Sequence, residues 1–119
     1  MEPLLLVEDK NELRAMLKKA LERAGYGVDE APDGTTAIQK VRQRRYLMVV
    51  TDLKMPGASG LDVLRESKAA DATIPVLLLT AYGSVEEAVS AMKDGAFDFL
   101  QKPVDLDHLK LLVKRATTG

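Results

Sequence analysis

Cysteine and tryptophan are absent from this chain of 119 residues. Without cysteine there can be no disulfide and no thiol catalysis, and the omission fits a reducing compartment. A surplus of either charge is missing too. The formal net charge is −1, whereas a nucleic-acid surface is usually clearly basic, so no direct nucleic-acid contact is expected. No apolar run approaches the roughly 20 residues that a membrane helix needs. The apolar start, Pro3 to Val7, meets Glu8-Asp9 too soon for a signal peptide. A cytoplasmic protein without membrane association is expected. Linkers, repeats and low-complexity segments are also lacking, so residues 1–119 read as one domain with one core. Apolar residues at 46% and charged residues at 29% are ordinary for a soluble domain.

The chain is organised around Tyr46 to Gly60. Leu47 to Val50 is a short apolar run that suits a strand buried on both faces of a parallel sheet. It ends at Thr51-Asp52, and Met55-Pro56-Gly57 then breaks the pattern as a loop does. Three further strands are expected at Leu4–Val7, Val76–Leu79 and Ala96–Leu100, with a more polar one at Tyr26–Ala31 near a sheet edge.

Helices fall between them. Asn11 is a candidate cap for a helix whose apolar stripe is Leu13, Met16, Leu17, Ala20, Leu21 and Ala24, stopped by Gly25. Asp33-Gly34 opens a second helix carrying Ala37, Ile38 and Val41. It ends in Arg42, Arg44 and Arg45, which suit the negative end of the helix dipole and read as a solvated helix end. Ser59 with Asp62, and Ser84 with Glu87, have the form of capping boxes. The first opens a helix through Ser67, followed by a loop over 69–73. The second opens a helix with Val85, Ala88, Val89 and Met92 inward, ended by Gly95. Asp105 caps a last helix with Leu106, Leu109, Leu112, Val113 and Ala116 inward and Leu111 off that stripe.

Strands alternating with helices imply an α/β, doubly wound, five-stranded parallel sheet with helices on both faces. Right-handed crossovers leave few topologies, and the flavodoxin-like order 2-1-3-4-5 is expected. Its switch point lies between the first and third strands, which end in Glu8-Asp9 and Asp52. Thr80 and Lys102 end the fourth and fifth strands at the same crevice. Taken singly, each of these residues has an ordinary structural role, as a turn former, a satisfied hydroxyl or a surface charge. Their convergence points to chemistry. Crowded carboxylates need compensation, and a hard divalent cation such as Mg²⁺ supplies it. A carboxylate is a ready nucleophile at neutral pH, and a lysine is a mobile counter-charge for a phosphate oxygen or a carboxylate. These are the parts for moving a phosphoryl group onto Asp52, a reaction that depends on positioning and charge neutralisation.

The set Glu8-Asp9, Asp52 with Met55-Pro56-Gly57, Thr80-Ala81 and Lys102-Pro103 resembles the receiver domain of bacterial two-component response regulators over essentially the whole chain. The resemblance implies that Asp52 is the phosphoacceptor and a histidine kinase the donor. It implies Mg²⁺ held by Asp9, Asp52 and the Lys54 backbone carbonyl, with Glu8 acting through water. Thr80 and Lys102 would bond phosphoryl oxygens, and small Ala81 would leave room for the donor. Thr80 and Phe99 would form a switch that alters the face made by the fourth helix, last strand and last helix. Many receivers have tyrosine where Phe99 stands, so the coupling here would rest on packing alone. Lys54 and Tyr82 would tune the lifetime of the phosphoryl group. The resemblance and the geometry of a lysine turning back after the last strand both imply a cis Lys102–Pro103 bond.

The segments 80–89 and 95–100 look like receivers of enhancer-binding, alternative-sigma-dependent transcription activators. Such a protein would continue into a linker and an output domain, for which this chain holds no ATPase or DNA-binding segment. A homodimer through the switching face, with Leu111 in the contact, is expected on phosphorylation. Three alternatives fit the residues less well. A Mg²⁺-dependent phosphohydrolase with an aspartyl nucleophile of the common haloacid-dehalogenase-like type would want aspartate at position 54, where Lys54 stands. A flavin-binding module would want a phosphate-cradling loop where Glu8-Asp9 stands. A pseudo-receiver acting by protein contact alone would not need the full acidic set. His108, the single histidine, lies on the last helix away from the crevice and reads as a solvated residue.

Overall fold

In the computed structural model, which describes residues 1–81 and 85–118, strands and helices alternate throughout. They run β1 (Leu4–Val7), α1 (Asn11–Arg23), β2 (Val28–Ala31), α2 (Gly34–Gln43), β3 (Met48–Asp52), α3 (Gly60–Ala70), β4 (Val76–Thr80), α4 (Val85–Lys93), β5 (Asp98–Gln101) and α5 (Leu106–Thr117). All strand pairs are parallel and the order is β2-β1-β3-β4-β5, as the alternation implied. The polar strand β2 is indeed at an edge.

The sheet separates two apolar layers, because successive strand residues point to opposite faces. Leu5, Val7, Val49, Val76 and Leu78 pack with Ala37, Val41, Val63, Leu64 and Ala91 of α2, α3 and α4. Leu4, Leu6, Met48, Val50, Leu77 and Leu79 pack with Leu17 and Leu21 of α1 and Leu109, Leu112 and Val113 of α5. Both faces of β1, β3 and β4 are buried. That is why their sequences read as continuous apolar runs rather than alternating ones.

Three helix starts follow from their capping residues. The Asp33 carboxylate accepts the Thr36 amide at the start of α2. Ser59 and Asp62 form the expected capping box, each side chain accepting the other's amide. Asp105 accepts the amides of Asp107 and His108. Asn11 is not a cap: Lys10 holds that position without a side-chain bond, and the Asn11 side-chain Oδ1 accepts from the Arg14 guanidinium instead. The Ser84 cap lies outside the described residues.

Other boundaries differ for local reasons. β2 begins at Val28, since Tyr26 turns towards α5 and its hydroxyl bonds Thr117. β5 begins at Asp98, although the Phe97 amide already bonds the Val76 carbonyl. α3 runs on to Ala70, and the loop starts at Asp71. Met16 on α1 and Val85, Val89 and Met92 on α4 are exposed. The inward face of α4 is Ala88 and Ala91, because small side chains let the helix backbone lie close to the sheet.

Candidate functional site

The ladder register brings the polar strand ends to one edge. Val7 lies opposite Thr51, Asp52 opposite Leu79, and Thr80 opposite Gln101. The next residues, Glu8 and Lys102, therefore flank Asp52 from the two sides. Backbone bonds fix these ends: the Glu8 amide donates to Ala31, the Leu53 amide to Leu79 and the Lys102 amide to Thr80.

Glu8 is fully buried and Asp52 nearly so, at 0% and 6% exposure. Burial of two carboxylates in contact is unfavourable unless something compensates. The Lys102 ammonium does so, donating to Asp52 Oδ2 at 2.9 Å and to Glu8 Oε1 at 3.0 Å. The Lys102–Pro103 bond that precedes the return to α5 is cis, as expected. Burial alone would lower the Lys102 pKa, but hydrogen bonds to Asp52 and Glu8 outweigh it and hold the group above its usual value. Glu8 is pushed up to about 7, first by burial and then by its contact with Asp52, with Lys102 opposing both.

Asp9 is partly exposed at the lip of the crevice, and its amide donates to Glu8 Oε2 at 3.1 Å. Carboxylate oxygens of Glu8, Asp9 and Asp52 all lie within 4.8 Å of one another. Two buried carboxylates and a third at the lip, open to solvent, fit a cation such as Mg²⁺, which takes a few carboxylates and keeps several waters.

The other expected residues are placed less directly. Thr80 is fully buried, and its hydroxyl donates to the Leu100 carbonyl at 3.4 Å rather than reaching the crevice. Phe99 is half-buried against the α2–α3–α4 layer. Lys54 follows Asp52 by two residues, and its ammonium reaches α4 to pair with Glu87 at 3.2 Å. Ala81 is exposed at the end of β4. Tyr82 lies outside the described residues. His108 is exposed in the first turn of α5, where its amide donates to the Asp105 carboxylate, and it is not among the residues gathered around Asp52.

Two supporting residues escaped the sequence reading. Arg14 of α1 donates to the Glu8 backbone carbonyl at 2.8 Å while pairing with Glu30, and so holds the loop after β1. The signal was an arginine on an otherwise ordinary polar helix face, which sequence alone does not separate from a solvated one. Gly60 opens α3 directly against the backbone of Asp52 and Leu53, where any side-chain carbon would overlap the Asp52 carbonyl. Its amide donates to the Leu53 carbonyl at 2.8 Å. Gly57 has φ +77°, a left-handed conformation that glycine adopts without steric cost, and it turns the loop that carries the chain from Asp52 to Gly60.

Residues 4–114 match the model of the response regulator receiver domain. Over 113 residues the chain is 41% identical to the transcriptional regulatory protein ZraR of Escherichia coli O157:H7, covering 95% of this chain and 26% of that protein. A response regulator receiver domain protein from Clostridium thermocellum superposes with a TM-score of 0.90 at 34% identity, covering 98% of this chain and 94% of the other. The receiver domain of a sensor histidine kinase from Pseudomonas aeruginosa PAO1, described with a magnesium ion coordinated in the active site cleft, superposes with a TM-score of 0.88. It is 26% identical and covers 99% of this chain and 98% of the other. The chain thus spans about a quarter of the length of the first of these proteins, and it belongs to the response regulator receiver domain family.

Proposed function

We propose that residues 1–119 form a phosphorylation-operated switch in a two-component system, and that Asp52 is its phosphoacceptor. The observation that carries this reading is the Lys102 ammonium held between Asp52 Oδ2 at 2.9 Å and Glu8 Oε1 at 3.0 Å, beside Asp9. An anionic phosphoryl group can join three carboxylates only where such counter-charges are already in place.

In the proposed reaction an Asp52 carboxylate oxygen attacks phosphorus on the phosphohistidine of a histidine kinase. The P–N bond breaks, the O–P bond forms, and the imidazole leaves with the electron pair. Lys102 moves from the carboxylates to a phosphoryl oxygen. Asp9, Asp52 and the Lys54 carbonyl, with Glu8 through water, are the residues proposed to hold Mg²⁺, which when bound would neutralise charge on the transferring group. Hydrolysis of the acyl phosphate returns the domain to its resting state. Lys54 and Tyr82 are proposed to tune that lifetime. No external substrate is turned over.

The signal is proposed to leave through Thr80. Its hydroxyl, now on the Leu100 carbonyl, would bond a phosphoryl oxygen instead, and this differential contact biases one state over the other. Phe99 would follow into the space vacated. The affected surface is the face of α4, β5 and α5. The exposed large apolar side chains of these elements are Val85, Val89 and Met92 of α4, Phe97 just before β5, and Leu111 of α5. A second copy of this chain is the proposed occupant when Asp52 is phosphorylated, and control of transcription through an output domain the proposed result. The motifs over 80–89 and 95–100 favour an output of the enhancer-binding type.

Incubation with Mg²⁺ and a small acyl-phosphate donor, read by intact mass, tests the central step. One phosphate should appear on wild type and none on Asp52→Asn. Labelling of the variant at the wild-type level would refute the assignment.

A further inference from the structure

At the edge of the sheet opposite Asp52, where α2 and α3 end and β3 and β4 begin, there is a recess of about 130 Å³. Val41 and Ile74 form apolar walls, Ala70 stands at the mouth, and Arg44 and Arg45 occupy the rim. Ser67 of α3 lines it and is 1% exposed. Its hydroxyl is the one buried side-chain polar atom among the described residues without a hydrogen-bond partner. A serine within a helix commonly donates to a carbonyl one turn back, and this one does not. Such an orphan in a well-packed domain calls for an explanation, and a polar atom of a ligand is one.

The rim is cationic for a local reason. Arg42 is engaged by Glu66 at 2.9 Å. Arg44 lies over the Tyr46 ring, 5.3 Å from its centroid, and 4.0 Å from Asp29. Arg45 has no carboxylate within ion-pair distance among the described residues. The one acid on the rim, Asp71, is turned into its own loop, where Oδ1 accepts the Thr73 amide at 2.9 Å and hydroxyl at 2.7 Å. The recess thus offers an unsatisfied hydroxyl at depth, apolar walls between, and the Arg45 guanidinium at the mouth. Arg45 makes no ion pair among the described residues, although its charge adds to the Thr73 hydrogen bonds in lowering the pKa of Asp71. Its volume is close to the roughly 150 Å³ of an engineered cavity that holds benzene.

We propose that this recess binds a small aromatic carboxylate carrying a polar group at its far end. The ring lies between Val41 and Ile74, the polar group meets the Ser67 hydroxyl, and the carboxylate pairs with Arg45 beside Arg44. A flat ring with polar ends fits because a purely apolar ligand would leave Ser67 unsatisfied, and a cation would meet two guanidinium groups.

Titration of the chain with para-hydroxybenzoate, followed by heteronuclear NMR, tests the proposal. Shifts should centre on Val41, Ser67, Ala70 and Ile74. Benzoate, which lacks the inner hydroxyl, should bind roughly fivefold more weakly. Para-hydroxybenzyl alcohol, which lacks the charge, should bind about tenfold more weakly, as should para-hydroxybenzoate to Arg45→Ala. Ala70→Leu, at an exposed helix position, should close the mouth and abolish the shifts. Ser67→Ala should raise the ligand-free melting temperature, since it removes an unsatisfied group. Failure of millimolar para-hydroxybenzoate to shift these residues would overturn the proposal, as would equal binding of the alcohol or a lowered melting temperature for Ser67→Ala.

Discussion

Helices α4 and α5 flank the same strand, β5, yet they are anchored differently. α5 sinks Leu109, Leu112 and Val113 into the layer it shares with α1, all nearly or fully buried. α4 meets the sheet through Ala88 and Ala91, and leaves Val85, Val89 and Met92 in solvent. Burying a leucine side chain contributes about 1.5–3 kcal/mol, whereas a single methyl contributes about 0.8 kcal/mol. Among the described residues α4 fully buries only two alanines, so it should be easier to displace than a helix that sinks three large side chains. The difference accords with the proposed division of tasks, in which α5 keeps its place in the core and α4 responds to events at Asp52.

The comparison is broken most severely by truncating each helix in turn. Leu109→Ala should lower unfolding free energy by roughly 2–5 kcal/mol in a urea titration. Val89→Ala and Met92→Ala should each stay within about 0.5 kcal/mol of wild type. Equal losses on the two helices would mean that α4 is anchored as firmly as α5, and its part in switching would then need another basis.

A pH series sharpens the same contrast. The Glu8 carboxyl has an ordinary value near 4.5 and is raised to about 7 in the folded chain, by burial first. The folded state therefore binds a proton that the unfolded state has released between these values. Without Mg²⁺, global stability should fall as pH rises from about 4.5 to about 7 and level off above. Amides of α5, which exchange through global unfolding, should lose protection over that window after correction for intrinsic rates. Amides of α4, expected to open locally, should not follow it. Saturating Mg²⁺, by favouring the ionised carboxylate, should flatten the slope. A slope of opposite sign would remove Glu8 as its source.

The same two helices show what a sequence discloses about its fold. The buried strands, their order and the convergence of Glu8, Asp9, Asp52 and Lys102 follow from continuous apolar runs and the polar residue that ends each. Those are local signals reinforced by one topological rule. The α5 stripe was equally legible, since large apolar residues recur where they are buried. On α4 the rule pointed the wrong way. Val85, Val89 and Met92 are the larger apolar residues at helical spacing, and periodicity marks them as inward, but alanines face the sheet. Hydrophobic pattern cannot distinguish a core face from a partner face when both are apolar. Thr80 was placed at the crevice by its position in the chain. Its rotamer, turned to Leu100, depends on a tertiary neighbour 20 residues away. Arg14 and Gly60 matter through backbone atoms of Glu8, Asp52 and Leu53, which no side-chain pattern encodes.

The smallest expected effect concerns the ion pair that, among the described residues, ties the loop after Asp52 to α4. Lys54 and Glu87 meet at 3.2 Å, with side chains 67% and 45% exposed. A pair so open to solvent contributes roughly 0.2–1 kcal/mol and weakens with salt. It matters here because α4 fully buries only Ala88 and Ala91 among the described residues, and because Lys54 lies two residues from the proposed phosphoacceptor. Glu87→Gln should leave global unfolding unchanged within error. It should speed local exchange of α4 amides by a factor of about 1.4–5 at low salt. The difference should disappear in high salt, where wild type already behaves as the variant does. Substitution of Lys54 by Gln should give the same exchange pattern, and the double variant no further change, since both single changes remove the same contact. If Glu87→Gln instead lowered global stability, the pair would belong to the core. α4 could not then be the lightly held helix that its alanine face implies.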